Sequence, residues 1–297
     1  MGLVVNTNIA AMNSYRNLSV TDGQMNKSLE KLSSGFRINR AADDAAGLAI
    51  SEGLRSQIGG LKVAVRNTQD AVSVVQTAEG ALTETHAILQ RMRDLSVQAA
   101  NGSNDADSLK ALQAENDALA TELTRIADKT TFNNVQLLDG KFNKDFQVGY
   151  AAGDSINVKI SSGTSGEGFN ATHLGVNALK LTDVGTPADD KGTADTTDDV
   201  VAVESGASLA IKAVDAAIKE VSTARAGLGA LQNRFEHTVK NLNVTAENLT
   251  ASESRIRDTD MAQEMVNFTR SQILSQAGTA MLAQANQASQ GVLRLLG

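Results

Sequence analysis

Leu54 to Leu89 reads LRSQIGGLKVAVRNTQDAVSVVQTAEGALTETHAIL, and the spacing of its apolar residues decides the fold. Leu54, Ile58, Leu61, Val65, Thr68, Val72, Val75, Glu79 and Leu82 alternate steps of four and three. The pattern runs on to Leu89 and fades by Asn101-Gly102. A seam repeating about every 3.5 residues makes a long helix that supercoils against a partner. Gly59 and Gly60 interrupt it at a cost of about 1 kcal/mol each relative to Ala, which tertiary packing must offset.

Outward from that helix the same spacing recurs. Upstream, Leu18, Met25, Leu29, Leu32 and Phe36 step by seven, four, three and four, giving a first amphipathic helix that Ser33-Ser34-Gly35 ends. Asp43 and Asp44 stand where carboxylates cap the orphan amides of the long helix. Downstream, a third helix spans about Asp107 to Lys129, with Leu109, Leu112, Leu119, Leu123 and Ile126 on one face. The chain then changes character. Val135 to Leu138, Lys144 to Gly149 and Ser155 to Ile160 are short segments, the last alternating as Ile156, Val158 and Ile160. Asp139-Gly140 and Gly153-Asp154 punctuate them, which predicts β-hairpins.

Residues 161–205 are rich in Gly, Thr, Ser and Asp and read as a loop or a small excursion from the rod. Helical spacing returns with Leu209, Val214, Ile218 and Val221 and continues through Leu228, Leu231, Phe235, Leu242, Leu249 and Ile256. Asp258 to Asp260 marks a break. A final segment carries Met261, Met265, Phe268, Ile273, Met281, Leu282, Val292, Leu295 and Leu296. The predicted fold is mainly α: an elongated antiparallel helical coiled-coil rod from both chain halves, with a small β-hairpin region in the middle and both termini at one end.

Composition narrows the function. Of 297 residues only 3% are aromatic, Trp is absent and there is one proline, so the apolar content is mostly Ala, Leu, Val and Ile, which suits close helix packing. There is no cysteine, which excludes disulfides, thiolate chemistry and cysteine–zinc sites. A formal net charge of −7 disfavours nucleic-acid binding. Met1 to Tyr15 lacks the basic start and apolar run of a secretory signal, so export is expected by a route that needs no cleaved signal. The uncharged run Ser271 to Leu293 contains Gln272, Gln276, Gln284, Asn286, Gln287 and Gln290, too polar for membrane insertion. Terminal segments so rich in Ala, Gln and Asn bury too little alone to offset chain entropy. They are expected to order when several copies pack together, which points to an assembly subunit.

Both chain ends carry extended motifs. Toward the N-terminus these are SLEKLSSGFRINRAADDAAGLAISEGLRSQI (Ser28 to Ile58), RNTQDAVSVVQTAEGAL (Arg66 to Leu82), LQRMRDLSVQAANG (Leu89 to Gly102) and TTFNNVQLLDG (Thr130 to Gly140). Toward the C-terminus they are RAGLGALQNRFEHTVKNL (Arg225 to Leu242), ENLTASESRIRDTDMAQEM (Glu247 to Met265) and ILSQAGTAMLAQANQASQGVLRLL (Ile273 to Leu296). In order and type they resemble the bacterial flagellins, in a short form lacking most of the variable outer domains. The resemblance implies terminal filament-core helices at 1–43 and 258–297, a rod domain from 44–178 and 206–257, and a short variable acidic loop at 179–205. Four positions depart from the family: Phe36 stands for a common Leu, Gly59 for a common Arg, Asn134 for the Gly of a turn, and Ala288-Ser289 for a Pro before the tail Gln.

The resemblance also implies partners. They are a homopolymer of the chain itself, filament cap and hook-junction proteins, and a cytoplasmic secretion chaperone holding the C-terminal segment as an amphipathic helix. The assembly and chaperone residues are Met261, Met265, Phe268, Ile273, Met281, Leu282, Leu295 and Leu296. Leu89, Gln90, Arg91, Leu95, Leu112 and Glu115 match the rod face that the mammalian Toll-like receptor for flagellin recognises in some members; lateral filament contact is the alternative use. Export unfolded through the flagellum's own type III channel to an extracellular filament is implied as well.

Catalytic signals are weak, and no enzyme, cofactor or metal is expected. His86, His173 and His237 show no metal spacing. Gly166 to Ala171 loosely fits a dinucleotide glycine pattern but opens no periodic helix. The acidic run Asp189 to Asp199 lacks the ligand spacing of a calcium loop. A hook–filament junction protein and a helical signalling scaffold are the competing classes. The uncharged Gln/Ala tail and the β-hairpin centre argue against the scaffold.

Overall fold

Asp44 starts the long helix: its Oδ1 accepts the Gly47 amide at 2.8 Å, and α2 then runs Ala45–Ala99, 55 residues without a break. Asp43 does different work from the expected capping. Its Oδ2 accepts the amides of Arg40 (3.0 Å) and Asn39 (3.3 Å), folding the turn before the helix. Those bonds, with Arg40's the larger cause, hold its carboxyl below the usual range. Before α2 lies α1, Ile9–Ser34, closed by Gly35 in the left-handed conformation. After it come α3 (Ala106–Lys129, capped by Asp105), four strands, α4 (Gly206–Arg257) and α5 (Met261–Leu296).

The structure, a computed structural model, describes residues 8–162, 167–183 and 205–296, with side chains through Gln287. Gly166, the acidic run Asp189 to Asp199, and the side chains of Leu295 and Leu296 lie outside the described residues. The chain divides into two compact units, Met1–Gly59 with Thr245–Gly297 and Gly60–Val244, here called terminal and central.

The central unit has one continuous core contributed by α2, α3, the strands, residues 169–181 and α4. On α2 its buried line is Leu61, Ala64, Thr68, Ala71, Val75, Ala78, Leu82, Thr85, Leu89 and Met92, a strict three-four alternation. The expected seam is right at every seventh residue and displaced between. Val65, Val72 and Glu79 lie half-buried at its flank, and Ala64, Ala71 and Ala78 hold the centre. Small side chains there let the helix backbone come close to its neighbours. The buried hydroxyls of Thr68 and Ser96 are satisfied by the carbonyls of Ala64 and Met92, each at 2.7 Å. On α4 the line is Ala207, Ala210, Val214, Ala217, Val221, Leu228, Phe235 and Leu242. Leu209, expected on the seam, falls outside it and is exposed.

Two antiparallel hairpins follow α3. β1 (Thr131–Phe132) pairs with β2 (Val135–Gln136) around Asn133 and Asn134, whose φ values of 48° and 63° form the mirror-image turn that strand twist favours. Asn tolerates that region, which accounts for Asn134 in place of Gly. β3 (Phe142–Gln147) pairs with β4 (Ser155–Ile160), two residues earlier than the expected Lys144 to Gly149. The register is set by burial: Phe142 and Phe146 face Ile160 and Ile156, all turned to the core side. A methyl at Gly140 or Gly168 would run into the other segment's backbone, so the two chain segments cross there only as glycines. At Gly60 an added Cβ would meet the Tyr150 Cβ at 2.8 Å, whereas Gly59 has open space.

Candidate assembly site

In the terminal unit α1 and α5 pack antiparallel. Asn8 Nδ2 donates to the Ala285 carbonyl (2.9 Å), Leu18 covers Gly278, Ser275 Oγ bonds Asp22 Oδ1 (2.9 Å) and Lys31 stands 3.9 Å from Glu264. The inward positions of α1 are Ala11, Ser14, Leu18, Thr21, Met25, Ser28 and Leu32. Those of α5 are Glu264, Phe268, Ser271, Ser275, Gly278, Leu282 and Ala285. Both sets keep the three-four alternation, yet more than half of their members are small or polar. The seam within the subunit is therefore poor in apolar area.

Most of the large apolar side chains point elsewhere. Ile9, Met12, Tyr15, Val20 and Leu29 on α1, and Met261, Met265, Val266, Ile273, Leu274 and Met281 on α5, are exposed. Leu29 thus departs from its expected place on the inner face. An apolar groove of about 610 Å³ runs along α5 between Met265, Val266, Thr269, Arg270, Ile273 and Leu274. Of the expected assembly residues, Met261, Met265, Ile273 and Met281 lie on this outer face, whereas Phe268 and Leu282 are half-buried toward α1.

Both terminal helices are anchored by one clasp. Phe36 and Asp258 form an antiparallel bridge in which the Arg37 amide donates to the Arg257 carbonyl (2.7 Å) and the Thr259 amide to the Gly35 carbonyl (2.9 Å). The Arg257 guanidinium stacks over the Phe36 ring at 4.5 Å and pairs with Glu52 (3.1 Å) and Glu253 (3.8 Å). A ring attracts the cation through its face, so Phe36 has a use that Leu lacks.

On the central unit, the six expected rod-face residues divide. Leu89 and Leu95 are fully buried in the core and Leu112 is half-buried. Arg91 stays exposed and directs Nε and Nη2 to Glu115 Oε1 at 2.8 and 2.6 Å, and exposed Gln90 lies 3.0 Å from His86 Nε2. Arg93 pairs likewise with Asp215 at 2.7 Å. Exposed pairs of this type contribute roughly 0–1 kcal/mol, so they orient the surface more than they stabilise the fold. Sequence reasoning missed Gln113, between Leu112 and Glu115. Its Oε1 accepts the Leu181 amide (2.6 Å) and its Nε2 donates to the Leu179 carbonyl (2.7 Å), clamping residues 179–181 to α3. Nothing in residue type or spacing flags such a clamp.

Among the described residues no three His, Asp or Glu side chains gather as a metal site, and no helix is long and apolar enough to cross a membrane. His173 lies 3.8 Å from Glu167, and the other histidines sit on helices.

Residues 5–143 match the model of the bacterial flagellin N-terminal helical region, and residues 211–296 that of the bacterial flagellin C-terminal helical region. The flagellin of Bacillus subtilis (strain 168) is 50% identical over 307 residues, covering 98% of this chain and 99% of that protein. Flagellin FlaB2 of Treponema pallidum (strain Nichols) is 47% identical over 300 residues, covering 99% and 100%. The chain belongs to the bacterial flagellin family. As a flagellin it is the structural subunit of the flagellar filament and self-assembles into a homopolymer. A putative flagellar hook-associated protein from Vibrio parahaemolyticus shares the fold, with a TM-score of 0.55 at 13% identity over 73% of this chain and 100% of that one. The flagellin relatives, similar along nearly their whole length, decide between filament subunit and junction protein.

Proposed function

We propose that filament growth is driven by burial of the outer faces of α1 and α5 between copies. Residues 1–43 and 258–297 serve as the filament core, 44–178 with 206–257 as the rod, and 179–205 as the short variable acidic segment, whose first residues Leu179 to Leu181 are held against α3. The observation that carries this reading is the apolar residue placement on the terminal helices, whose inner seam is more than half small or polar while Met265, Ile273 and Met281 are exposed. Each fully buried large apolar side chain contributes about 1.5–3 kcal/mol, and the effect repeats at every subunit added. The work is mechanical, without catalysis. The subunit reaches an extracellular filament through the flagellum's own type III channel and is added beneath a cap protein on a base of hook-junction proteins. Before export, a cytoplasmic chaperone holds the segment from Asp258, including Met261, Met265, Phe268, Ile273, Met281, Leu282, Leu295 and Leu296.

Electron microscopy tests the core of this reading. Full-length protein, given a salting-out agent or filament seeds, is expected to form long filaments, and the truncation 44–257 none. Monodisperse full-length particles under every condition, or filaments from the truncation, would overturn it.

The exposed Arg91–Glu115 pair, flanked by Gln90, supports a second contact: lateral packing in the filament and, on the free subunit, the mammalian Toll-like receptor for flagellin. Buried Leu89 and Leu95 act by holding that face in place. Arg91→Ala/Glu115→Ala is expected to lose reporter activation by monomeric protein while melting close to the parent. Undiminished activation would count against the receptor contact.

A further inference from the structure

The chain holds seven methionines, and those described divide by environment. Met92 is fully buried in the central core and Met25 is half-buried against α5. Met12, Met261, Met265 and Met281 are 64%, 49%, 54% and 62% exposed, and every one lies on α1 or α5. With no cysteine in the chain, these thioethers are the most accessible two-electron reductants among the described residues. They occupy the outer faces of the terminal helices, the surface proposed to form contacts between copies.

Resting on that assembly reading, we propose that Met12, Met261, Met265 and Met281 form an oxidation-sensitive patch, and that a hydroperoxide-class oxidant converts the free subunit into a folded form that cannot assemble. In the step, a sulfur lone pair attacks one peroxide oxygen. An S–O bond forms, the O–O bond breaks and a proton passes to the departing oxygen. With hydrogen peroxide the products are the sulfoxide and water; the sulfur is oxidised by two electrons and the peroxide reduced by two. The step needs only access to the sulfur, which these four residues have and Met92 lacks.

The consequence depends on where the new oxygen sits. A sulfoxide is polar and a strong hydrogen-bond acceptor, and it replaces an apolar, adaptable side chain. On the free subunit water solvates it, so the fold is barely affected. Between packed helices it loses that water, and a buried acceptor without a donor is costly. Oxidation therefore acts on assembly, and a filament that has already covered its methionines resists it.

The experiment uses the full chain, treated with hydrogen peroxide, quenched, and examined by peptide mass mapping, thermal melting and seeded polymerisation. The expected result is one added oxygen at each of the four residues, none at Met92, an unchanged melt, and growth slowed about tenfold or more. Methionine sulfoxide reductase is expected to restore growth. The Met12→Leu/Met261→Leu/Met265→Leu/Met281→Leu variant is expected to polymerise equally before and after peroxide. Normal growth of protein oxidised at all four sites overturns the proposal, as does lost growth that reductase leaves unrepaired. Failure of the underlying assembly reading looks different: the truncation 44–257 would then polymerise without any oxidant.

Discussion

Met265→Asp/Ile273→Asp is expected to abolish polymerisation and leave the subunit folded. The two side chains are 54% and 61% exposed and line the same apolar groove on the outer face of α5. In the free subunit each carboxylate points into water, and the penalty is the weaker helix propensity of Asp, about 0.5 kcal/mol per site. In the filament, under the proposed packing, the same two carboxylates leave water with Arg270 as the one cation lining the groove, and the carboxylate left unpaired costs several kcal/mol. Every subunit added meets that penalty, so the critical concentration rises beyond any practical value. Sedimentation and electron microscopy read the assembly, and far-UV circular dichroism reads the fold. Filaments of normal length from a normally folded variant would show that this groove stays open to solvent in the polymer.

The same groove shows how much was legible in the sequence. Period and order came through: among the described residues the five helices and the break at Asp258 to Asp260 stand where the apolar spacing put them, whereas β3 starts two residues early and Thr131–Phe132, the partner of Val135–Gln136, carried no strand signal. What did not come through is which stripe of a helix faces inward. On α2 the large residues Val65 and Val72 compete with Ala64 and Ala71 for the seam, and a pattern that weights size selects the wrong neighbour. Close approach of backbones favours the alanines. On α1 the error at Leu29 has the reverse origin: the residue is exposed on the single subunit, and under the proposed packing such apolar positions are kept for other chains, so a rule that apolar means inside fails there. Arg91–Glu115 is a pairing across two helices, and its residues were legible only through the family motif. Gln113 and the Gly140–Gly168 crossing depend on backbone that is remote in sequence, which spacing alone does not carry.

Phe235→Ala is expected to destabilise the central unit by about 3–5 kcal/mol, the range for deleting a fully buried ring. Phe235 is completely buried and occupies the α4 seam between Leu228 and Leu242. Its ring meets Phe146 of β3 edge-on, with centroids 6.3 Å apart and planes at 78°, a geometry that adds roughly 0.5–1.5 kcal/mol beyond area. One side chain thus ties the hairpin to the long helix, in a core otherwise built mostly from Ala, Val and Leu. Denaturant unfolding followed by circular dichroism measures the loss. A double-mutant cycle with Phe146→Leu separates the ring contact from the cavity. A change below about 1.5 kcal/mol would mean that the site collapses around alanine and that Phe235 is no anchor. The contrast with the α5 variant carries the mechanism. Well below its melting temperature, Phe235→Ala keeps the outer faces of α1 and α5 intact and is expected to polymerise. Met265→Asp/Ile273→Asp keeps the fold and is not. Under the proposed packing, the core around Phe235 serves folding and the outer face of α5 serves assembly, and each variant removes one and spares the other.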